Sequence, residues 1–372
     1  MLQTASLQYD LPSDLIATRP AEPRDSARLM VLRRSDPAHV EHRRFSDLPE
    51  FLTPADRLVF NTSWVVPARF DGFRADTSGK IEGLFLTTLE PGVWEVMIQS
   101  GSRLTQGMIL RLHGRDRVPS RYSLRLDRKT SDGWRVELRQ GPELERVTTD
   151  AAEILSQIGA TPIPPYIRSA RRNSTEHVSD DQDRRWYQAV YANPQTRGSV
   201  AAPTAGLHFT SDLLDRLSAL GVSRTEVALH VGPGTFKPIQ TEYVEQHPMH
   251  AEWCRVSAAA VDSIEITRAA GGRIIPVGTT SVRTLESLPN PITDAIRREG
   301  FAAATRLLIT PGYQFRWTDA LITNFHLPGS TLLALVAALF PEGVPRLLDH
   351  YRQAVRERYR FYSYGDAMLI LP

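Results

Sequence analysis

The sequence predicts an α/β domain with a mostly parallel sheet, interrupted by an inserted all-β domain that resembles a small barrel. Between 67 and 149, short runs of alternating apolar and polar residues recur at intervals of about 8–12 residues, which is typical of a small barrel or sandwich. After Asp150, helices alternate with strands, and this order favours a largely parallel sheet with covered faces. We therefore predict an α/β domain from residues 1–66 and 151–372 and a β insert from 67–150.

The elements before and within the insert follow from local patterns. A short helical turn is expected at Ser13–Ala17, and strands are expected at Arg28–Leu32 and Arg57–Phe60. The strands predicted inside the insert, each bounded by Gly, Asp or Ser turns, are Lys80–Thr87, Trp94–Ile98, Met108–Leu112, Tyr122–Leu126 and Trp134–Leu138.

After the insert, residues 167–185 are rich in Arg, Ser and Asp without apolar periodicity, and they predict a mobile surface loop. Thr210 or Ser211 can cap a helix that runs to Leu220, where Gly221 ends it. The remaining predicted strands are Thr225–Val231, Arg273–Val277, Arg306–Ile309 and Ala320–Asn324, and the remaining helices are 257–270, 281–288, 330–340 and 344–359.

Composition limits the class of protein. The chain has 372 residues, 41% of them hydrophobic and 23% charged, which is ordinary for a globular protein of two domains. Cys254 is the single cysteine, which excludes an intramolecular disulfide and a zinc site of several thiolates. The first residues lack the features of a signal peptide, and the longest apolar stretch, Leu332–Phe340, is less than half of the roughly 20 residues that span a bilayer. We expect a cytoplasmic protein that does not enter a membrane.

Polar and small residues cluster where the predicted strands end, which is where an open α/β sheet binds its ligand. The first two clusters are Gly198–Thr210 and Leu229–Pro238. Their glycines would let the backbone approach a ligand closely, although tight strand–helix packing or a sharp turn would use the same residues. The candidates that these clusters supply for substrate binding are Thr204, Gly206, His230, Gly232, Gly234 and Thr235, and His208 is a candidate for proton transfer.

Two further clusters complete this edge. Val277–Arg283 leads into a helix N-terminus whose free N–H groups suit a carboxylate or phosphate, and ordinary capping by Thr280 is compatible with that use. Thr323–Pro328 follows the last predicted parallel strand. The binding candidates here are Thr279, Thr280, Arg283 and Asn324, and the proton-transfer candidates are His326 and Asp366, the latter at the end of an aromatic C-terminal run.

His247, His250 and Glu252 invite a metal hypothesis. Their spacing argues against it, because His250 and Glu252 would share one face of a strand that His247 does not, and Pro248 disfavours a helix. We therefore expect no metal, and Glu252 remains a candidate for proton transfer.

A local basic patch is the best signal for nucleic acid, since the net charge of the chain is only +2. From Arg103 to Lys129, inside the β insert, eight Arg or Lys face two acids. Such a patch can bind a phosphate backbone, although charge runs are often only solvated surface. The expected contacts are Arg115, Arg117, Arg121 and Arg125.

Taken in order, these blocks closely resemble the S-adenosylmethionine:tRNA ribosyltransferase-isomerases of queuosine biosynthesis. The most specific run is Ala201–Thr210, and the resemblance extends over nearly the whole chain. The other blocks that carry it are Tyr9–Pro12, Pro23–Asp25, Val59–Asn61, Pro164–Ile167, Tyr187–Ala192, Leu229–Phe236, His247–Glu252, Val277–Arg283, Thr323–Pro328 and Tyr359–Ile370.

The resemblance implies a transferase that moves the ribosyl part of S-adenosylmethionine onto 7-aminomethyl-7-deazaguanine at the wobble position of tRNA and isomerises it. S-adenosylmethionine would be a consumed substrate, with no permanently bound cofactor, and the protein would be a monomer whose partner is the anticodon region of tRNA. Such chemistry needs a base beside the sulfonium and an acid for the leaving adenine. The residues do not assign these roles among His208, His230, His250, Glu252, His326 and Asp366, with His208 and His326 preferred.

Two positions depart from the family pattern. Trp64 stands where a basic residue is expected, and Gly329 stands where a lysine is expected. These departures motivate a first alternative, a diverged paralogue that uses S-adenosylmethionine on another acceptor. A metal-dependent hydrolase built on His247, His250 and Glu252, and a non-catalytic RNA-binding protein that uses the basic insert, are the other two.

Overall fold

The structure is a computed structural model that describes residues 1–36, 38–172, 177–232 and 239–372. Its strands, in chain order, are β1 (Arg28–Arg33), β2 (Val40–Arg44), β3 (Arg57–Asn61), β4 (Ser63–Val65), β5 (Arg69–Arg74), β6 (Lys80–Glu90), β7 (Val93–Ser100), β8 (Ile109–His113), β9 (Pro119–Lys129), β10 (Trp134–Gln140), β11 (Glu145–Arg146), β12 (Asn193–Ser199), β13 (Ser223–Leu229), β14 (Glu252–Val256), β15 (Ile274–Val277), β16 (Phe301–Thr305), β17 (Leu321–Asn324) and β18 (Ala367–Leu371).

The α-helices of the described residues are α1 (Ala151–Ile158), α2 (Pro165–Arg172), α3 (Asp180–Trp186), α4 (Ser211–Ala219), α5 (Ala258–Ala269), α6 (Thr279–Glu286), α7 (Asp294–Glu299), α8 (Thr331–Ala337) and α9 (Val344–Arg356). None of the helices in these ranges is long and apolar enough to cross a membrane.

The main sheet is mixed, with parallel strands at its centre. In the described part of the chain it has nine strands in the order β16–β14–β13–β3–β15–β17–β18–β1–β2. The four central strands β13, β3, β15 and β17 run parallel to one another, and β18 runs parallel to β1. The other neighbours are antiparallel. The predicted α/β architecture is confirmed, with strands from both ends of the chain.

Period-two alternation explains how helices cover both faces of this sheet. On β1, Met30 and Leu32 are buried in one hydrophobic cluster with α8 and α9, whereas Leu29 and Val31 are buried in another cluster with α4. Successive residues of one strand therefore serve opposite cores, as expected for a sheet covered on both sides.

The β insert is a closed antiparallel barrel of six strands among the described residues, β5 to β10. The pairing of β9 with β10 closes the ring that starts with β5 and β6. Trp94, Leu124 and Val136 are fully buried inside it, and α1 adds Ile154 and Leu155 to the same cluster. The predicted barrel-like fold is confirmed, and α1 packs on the barrel although it lies beyond residue 150.

Two predicted elements are wrong. The strand expected at Arg306–Ile309 is found instead at Phe301–Thr305, as β16. The chain leaves the sheet after this strand, because the Leu307 carbonyl accepts a hydrogen bond from Arg283 Nε (3.0 Å). The expected loop at 167–185 contains the end of α2 and all of α3, which Ser179 and Gln182 begin with a reciprocal capping box. Residues 173–176 between these helices lie outside the described residues.

Candidate active site

The polar clusters meet at the carboxyl edge of the parallel strands. At the end of β3, Asn61 donates to the Leu229 carbonyl (3.0 Å) and to Thr280 Oγ1 (3.2 Å), and it accepts from the Leu229 N–H (3.1 Å). Ser63 Oγ also donates to the Leu229 carbonyl (2.7 Å). Asn61 therefore ties together the ends of β3, β13 and the first turn of α6, three segments far apart in sequence.

The segment after β12 joins the same edge. Ser199 Oγ accepts from the Val231 N–H (3.1 Å). Its neighbour Gly198 has a φ of 139° and lies so close to His230 that a Cβ atom there would be 2.8 Å from the imidazole ring. A side chain at position 198 would displace His230, so glycine is required for this close approach.

A second link runs between Thr204 and Asn324. Thr204 Oγ1 donates to Asn324 Oδ1 (3.0 Å), and Asn324 Nδ2 donates to the Tyr362 carbonyl (3.0 Å). Both polar groups of the Asn324 amide are thereby used. Gly206 is also explained by packing, because a Cβ atom there would lie 1.8 Å from the Tyr191 hydroxyl.

A cleft of about 840 Å³ opens between this edge and the barrel. From the main sheet it is lined by His230, Gly232, Glu252 and Trp253, and from the barrel by Thr87, Asp132 and neighbouring residues. His250 Nδ1 lies 2.9 Å from Asp132 Oδ1, so a side-chain contact crosses from the main domain to the β9–β10 turn. Gly234 and Thr235 lie outside the described residues.

Glu252 and Arg283 form a buried ion pair beside the cleft, and both are 5% exposed. Glu252 Oε2 accepts from Arg283 Nη1, and Glu252 Oε1 accepts from the Gly232 N–H (2.9 Å). Among the residues that the structure describes, Arg283 Nη2 has no hydrogen-bond partner. The pair holds the Gly232 backbone in place and leaves one guanidinium nitrogen available to a further acceptor.

His230 and Trp253 form an aromatic wall of the cleft, with ring centroids 4.9 Å apart. Burial lowers the pKa of His230, and within the described ranges its Nε2 has no hydrogen-bond partner. Trp253 is 41% exposed, which is unusual for so large an apolar side chain. The wall thus presents a neutral imidazole and an indole face to the cleft.

His208 lies beneath the edge, away from the residues that line the cleft. Its Nδ1 is 3.0 Å from the Ala205 carbonyl and its Nε2 is 2.9 Å from the Gly365 carbonyl, and its ring stacks on Phe45 with centroids 5.0 Å apart. Burial lowers the pKa of His208, while the two carbonyls oppose that change. This geometry favours a role in joining two backbone segments.

His326 and Asp366 are similarly engaged. His326 Nε2 contacts Thr323 Oγ1 (2.8 Å), and burial lowers the pKa of His326 to about 3. The Asp366 carboxylate accepts from the N–H groups of Arg28 (3.0 Å) and Arg360 (2.7 Å). Of the six residues among which the acid and base are left open, His230, His250 and Glu252 line the cleft, and His208, His326 and Asp366 are not among its described lining residues.

Thr279 and Thr280 occupy the first turn of α6, which begins after Gly278 with φ 87°. Because glycine has no side chain, it cannot cap the free N–H groups of this turn. Both threonines are buried, 6% and 9% exposed. The turn therefore combines backbone donors that have no hydrogen-bond partner among the described residues with restricted access for water.

Glu252 and His250, two of the residues of the metal hypothesis, have other partners among the described residues. Glu252 contacts Arg283 and Gly232, and His250 contacts Asp132. Within the described ranges, no group of three or more His, Cys, Asp or Glu residues is arranged to hold a metal ion.

The arginines expected to bind tRNA differ in their surroundings. Arg115 pairs with Asp181 of α3, Arg125 lies 3.4 Å from Glu137, and the Arg121 guanidinium lies 4.9 Å from the Tyr122 ring centroid. Arg117 is exposed in the β8–β9 turn, and no ion pair of its side chain is found in the described part of the chain.

The interpretation of the sequence missed Asn61, Ser63 and Trp253 as site residues, whereas Ser199 lies within the predicted cluster Gly198–Thr210. The signal for Asn61 was present, since this polar residue directly follows the predicted strand Arg57–Phe60. No local pattern distinguishes Trp253, because its exposure depends on how β14 lies against the cleft.

A polar cleft at the strand ends of an open α/β sheet defines a ligand-binding α/β protein. The chain belongs to the queuosine biosynthesis protein family, whose model matches residues 4–370. A relative from Anaeromyxobacter sp. (strain K) is 46% identical, and the match covers 100% of this chain and 99% of the relative. One from Moorella thermoacetica is 44% identical and covered completely, as is this chain. Both are named S-adenosylmethionine:tRNA ribosyltransferase-isomerase.

A solved structure is also similar. The crystal structure of S-adenosylmethionine tRNA ribosyltransferase from Thermotoga maritima is 34% identical, with a TM-score of 0.51. The match covers 98% of this chain and 100% of that chain.

Proposed function

We propose that this protein is an S-adenosylmethionine:tRNA ribosyltransferase-isomerase of queuosine biosynthesis. It transfers the ribosyl part of S-adenosylmethionine to 7-aminomethyl-7-deazaguanine at the wobble position of tRNA and isomerises it, giving epoxyqueuosine-tRNA, adenine and methionine. The observation that carries the proposal is the cleft of His230, Gly232, Glu252 and Trp253, because residues of two blocks that carry the family resemblance, Leu229–Phe236 and His247–Glu252, line it.

S-adenosylmethionine binds in this cleft as a consumed substrate, without a permanently bound cofactor. The backbone N–H groups of Thr279 and Thr280 and the Arg283 Nη2 atom, which have no hydrogen-bond partner among the described residues, suit its carboxylate. The wall of His230 and Trp253 suits a purine or the sulfonium cation, which aromatic faces attract. Thr204 and Asn324 position the neighbouring loops through their hydrogen bond.

The proton transfers need a base and an acid in the cleft. Glu252 and His230 are the groups that the geometry favours, since both line the cleft and a lowered pKa keeps His230 neutral and able to accept a proton. His208, His326 and Asp366 stay candidates for proton transfer, and their contacts support positioning of the 205, 323 and 360 segments.

The tRNA contacts the barrel through Arg115, Arg117, Arg121 and Arg125 and presents its anticodon region to the cleft. The protein acts as a monomer in the cytoplasm. The position of the cleft beside the barrel supports these tRNA contacts, because one tRNA could touch the four arginines of the barrel and reach the cleft at the same time.

The test is incubation of the protein with S-adenosylmethionine and tRNA bearing the aminomethyl base, followed by mass spectrometry of the nucleosides. Epoxyqueuosine and one adenine for each modified base are expected. Glu252→Gln should lower the rate strongly, whereas the exposed control Glu226→Gln should not. Adenine release with the ribosyl part recovered on a molecule other than the tRNA base would instead support an acceptor other than this tRNA.

A further inference from the structure

A second cleft, of about 450 Å³, lies where the barrel meets α2 and α3. Six arginines line it, three from the barrel and three from α2, namely Arg69, Arg115, Arg117, Arg168, Arg171 and Arg172. So many guanidinium groups around one concave surface indicate an anionic ligand.

The carboxylates of this cleft are already engaged by basic side chains. The pairs are Asp71–His113 (3.0 Å), Glu82–Arg168 (2.8 Å), Asp180–Arg184 (2.6 Å) and Asp183–Arg171 (2.7 Å). In the described ranges the side chains of Arg69 and Arg117 form no ion pair at 4.0 Å or less, although Arg69 lies within the field of Glu82, Asp180 and Asp183. Arg172 likewise forms no ion pair among the described residues, so three of the six arginines of the cleft are left for a ligand.

Arg69 is the most informative of the three. It begins β5, where its N–H and carbonyl pair with Ala160 (3.1 and 2.6 Å), so its backbone is held firmly. Its side chain is half-buried, and burial lowers the pKa of the guanidinium. A partly desolvated cation without an ion-pair partner is costly, and a bound phosphate would offset that cost.

An apolar pocket of about 180 Å³ adjoins the cleft and shares Arg69 and Arg168 as walls. Its other walls include Leu84, Met97 and Pro164. A free anion would leave the adjoining apolar pocket unfilled, whereas a nucleotide places a base or ribose beside each phosphate. The two adjoining sites therefore fit one nucleotide unit of a chain.

We propose that the Arg69–Arg117 cleft binds a backbone phosphate of the tRNA, with the attached nucleoside in the pocket of Leu84 and Met97. This deepens the proposed function and rests on it, because it takes tRNA as the substrate. The site lies at the junction of the barrel with α2, so it extends the contact surface beyond the strands of the barrel.

The experiment compares Arg69→Gln and Arg117→Gln with Arg298→Gln, a charge-matched control on exposed α7. The affinity for tRNA is measured across a salt series. We expect each cleft variant to weaken binding about tenfold, as for a hydrogen bond to a charged group, and to reduce the salt slope by about 1. Arg298→Gln should match the unsubstituted protein, and S-adenosylmethionine affinity should not change in any variant. Arg117 is exposed in a turn, so its variant tests the proposal even if Arg69→Gln does not fold.

Unchanged tRNA affinity and salt slope in both cleft variants would overturn the proposal, as would a loss of S-adenosylmethionine affinity. Inorganic phosphate at constant ionic strength is the last arm. Phosphate binding that Arg69→Gln abolishes without any change in tRNA affinity would assign the cleft to a free anion. Product formation by the unsubstituted protein is scored separately, so a failure of the cleft proposal and a failure of the proposed function are distinguishable.

Discussion

Glu252, at the start of β14, and Arg283, on α6, form a buried ion pair that joins the antiparallel side of the sheet to the helix after β15. The second oxygen of Glu252 holds the Gly232 N–H at 2.9 Å. The pair therefore shapes the wall of the cleft as well as bridging two elements.

Removal of one partner of this pair should destabilise the protein. Because Glu252→Gln leaves the Arg283 cation buried without its carboxylate, we expect a loss of about 3–5 kcal/mol in the free energy of unfolding. Urea denaturation measures this loss. The double variant Glu252→Gln/Arg283→Met should be less destabilised than the sum of the two single variants. Additive losses would show that the two side chains do not interact.

Acid should destabilise the fold through buried histidines. Burial lowers the pKa of His326 to about 3 and that of His350 to about 4, from an ordinary value of 6.5. As the pH falls below 6.5, these two histidines therefore take up protons in the unfolded chain but not in the folded chain. The free energy of unfolding that the protein has above pH 6.5 decreases as a result. Each group contributes a slope of about 1.4 kcal/mol per pH unit.

His350→Gln tests this dependence at a site away from the cleft. We expect the slope of unfolding free energy against pH, between about 6 and 4.5, to fall by one proton relative to the unsubstituted protein. An unchanged slope would show that His350 titrates alike in the folded and unfolded states.

Replacement of His208 or His326 by Ala should lower turnover by roughly 10²–10⁴-fold if the residue transfers a proton in the transition state. S-adenosylmethionine binding should change much less. The contacts of both histidines within the fold make a thermal denaturation curve the necessary control. A variant that loses stability but keeps its turnover at low temperature would have a positioning role alone.

The barrel should fold as a separate unit. We predict that residues 67–150 form a separable β domain, and α1 suggests a sharper comparison with a fragment 67–160. The longer fragment retains Ile154 and Leu155, which are fully buried with the barrel core, so it should unfold at higher urea concentration. Fragments without a cooperative unfolding transition would contradict the prediction.

The basic strands of the barrel should contribute to tRNA affinity through phosphates. Charge reversal of Arg115, Arg117 and Arg121 together should weaken binding and flatten its salt dependence, because fewer counterions are released. The triple variant is compared with reversal of Arg298, which lies on α7. Equal tRNA affinities and equal salt slopes for the triple variant and the Arg298 variant would show that the three arginines are only solvated surface.

Local patterns in the sequence predicted much of the fold. Alternation on β1 separates Leu29 from Met30 and predicts a strand with two buried faces, and the cap at Thr210 begins α4 through a bond from the Leu213 N–H (3.1 Å). These features depend on residues a few positions apart. The failure at Arg306–Ile309 has a tertiary cause, because the Leu307 carbonyl bonds to Arg283 instead of a neighbouring strand.

The sequence by itself therefore determined the fold class, many of the strands and helices, the barrel-like insert, the strand-end segments and the family resemblance. Only the tertiary structure decided which side chains share the cleft. Thr204 and Asn324 are 120 residues apart, and Asn61 and Thr280 are 219 apart. Contacts over such separations depend on strand order and packing, which periodicity does not encode. For the same reason, the sequence could not show that His208, a candidate for proton transfer, lies between two backbone carbonyls. Nor could it show that Trp253 lines the cleft.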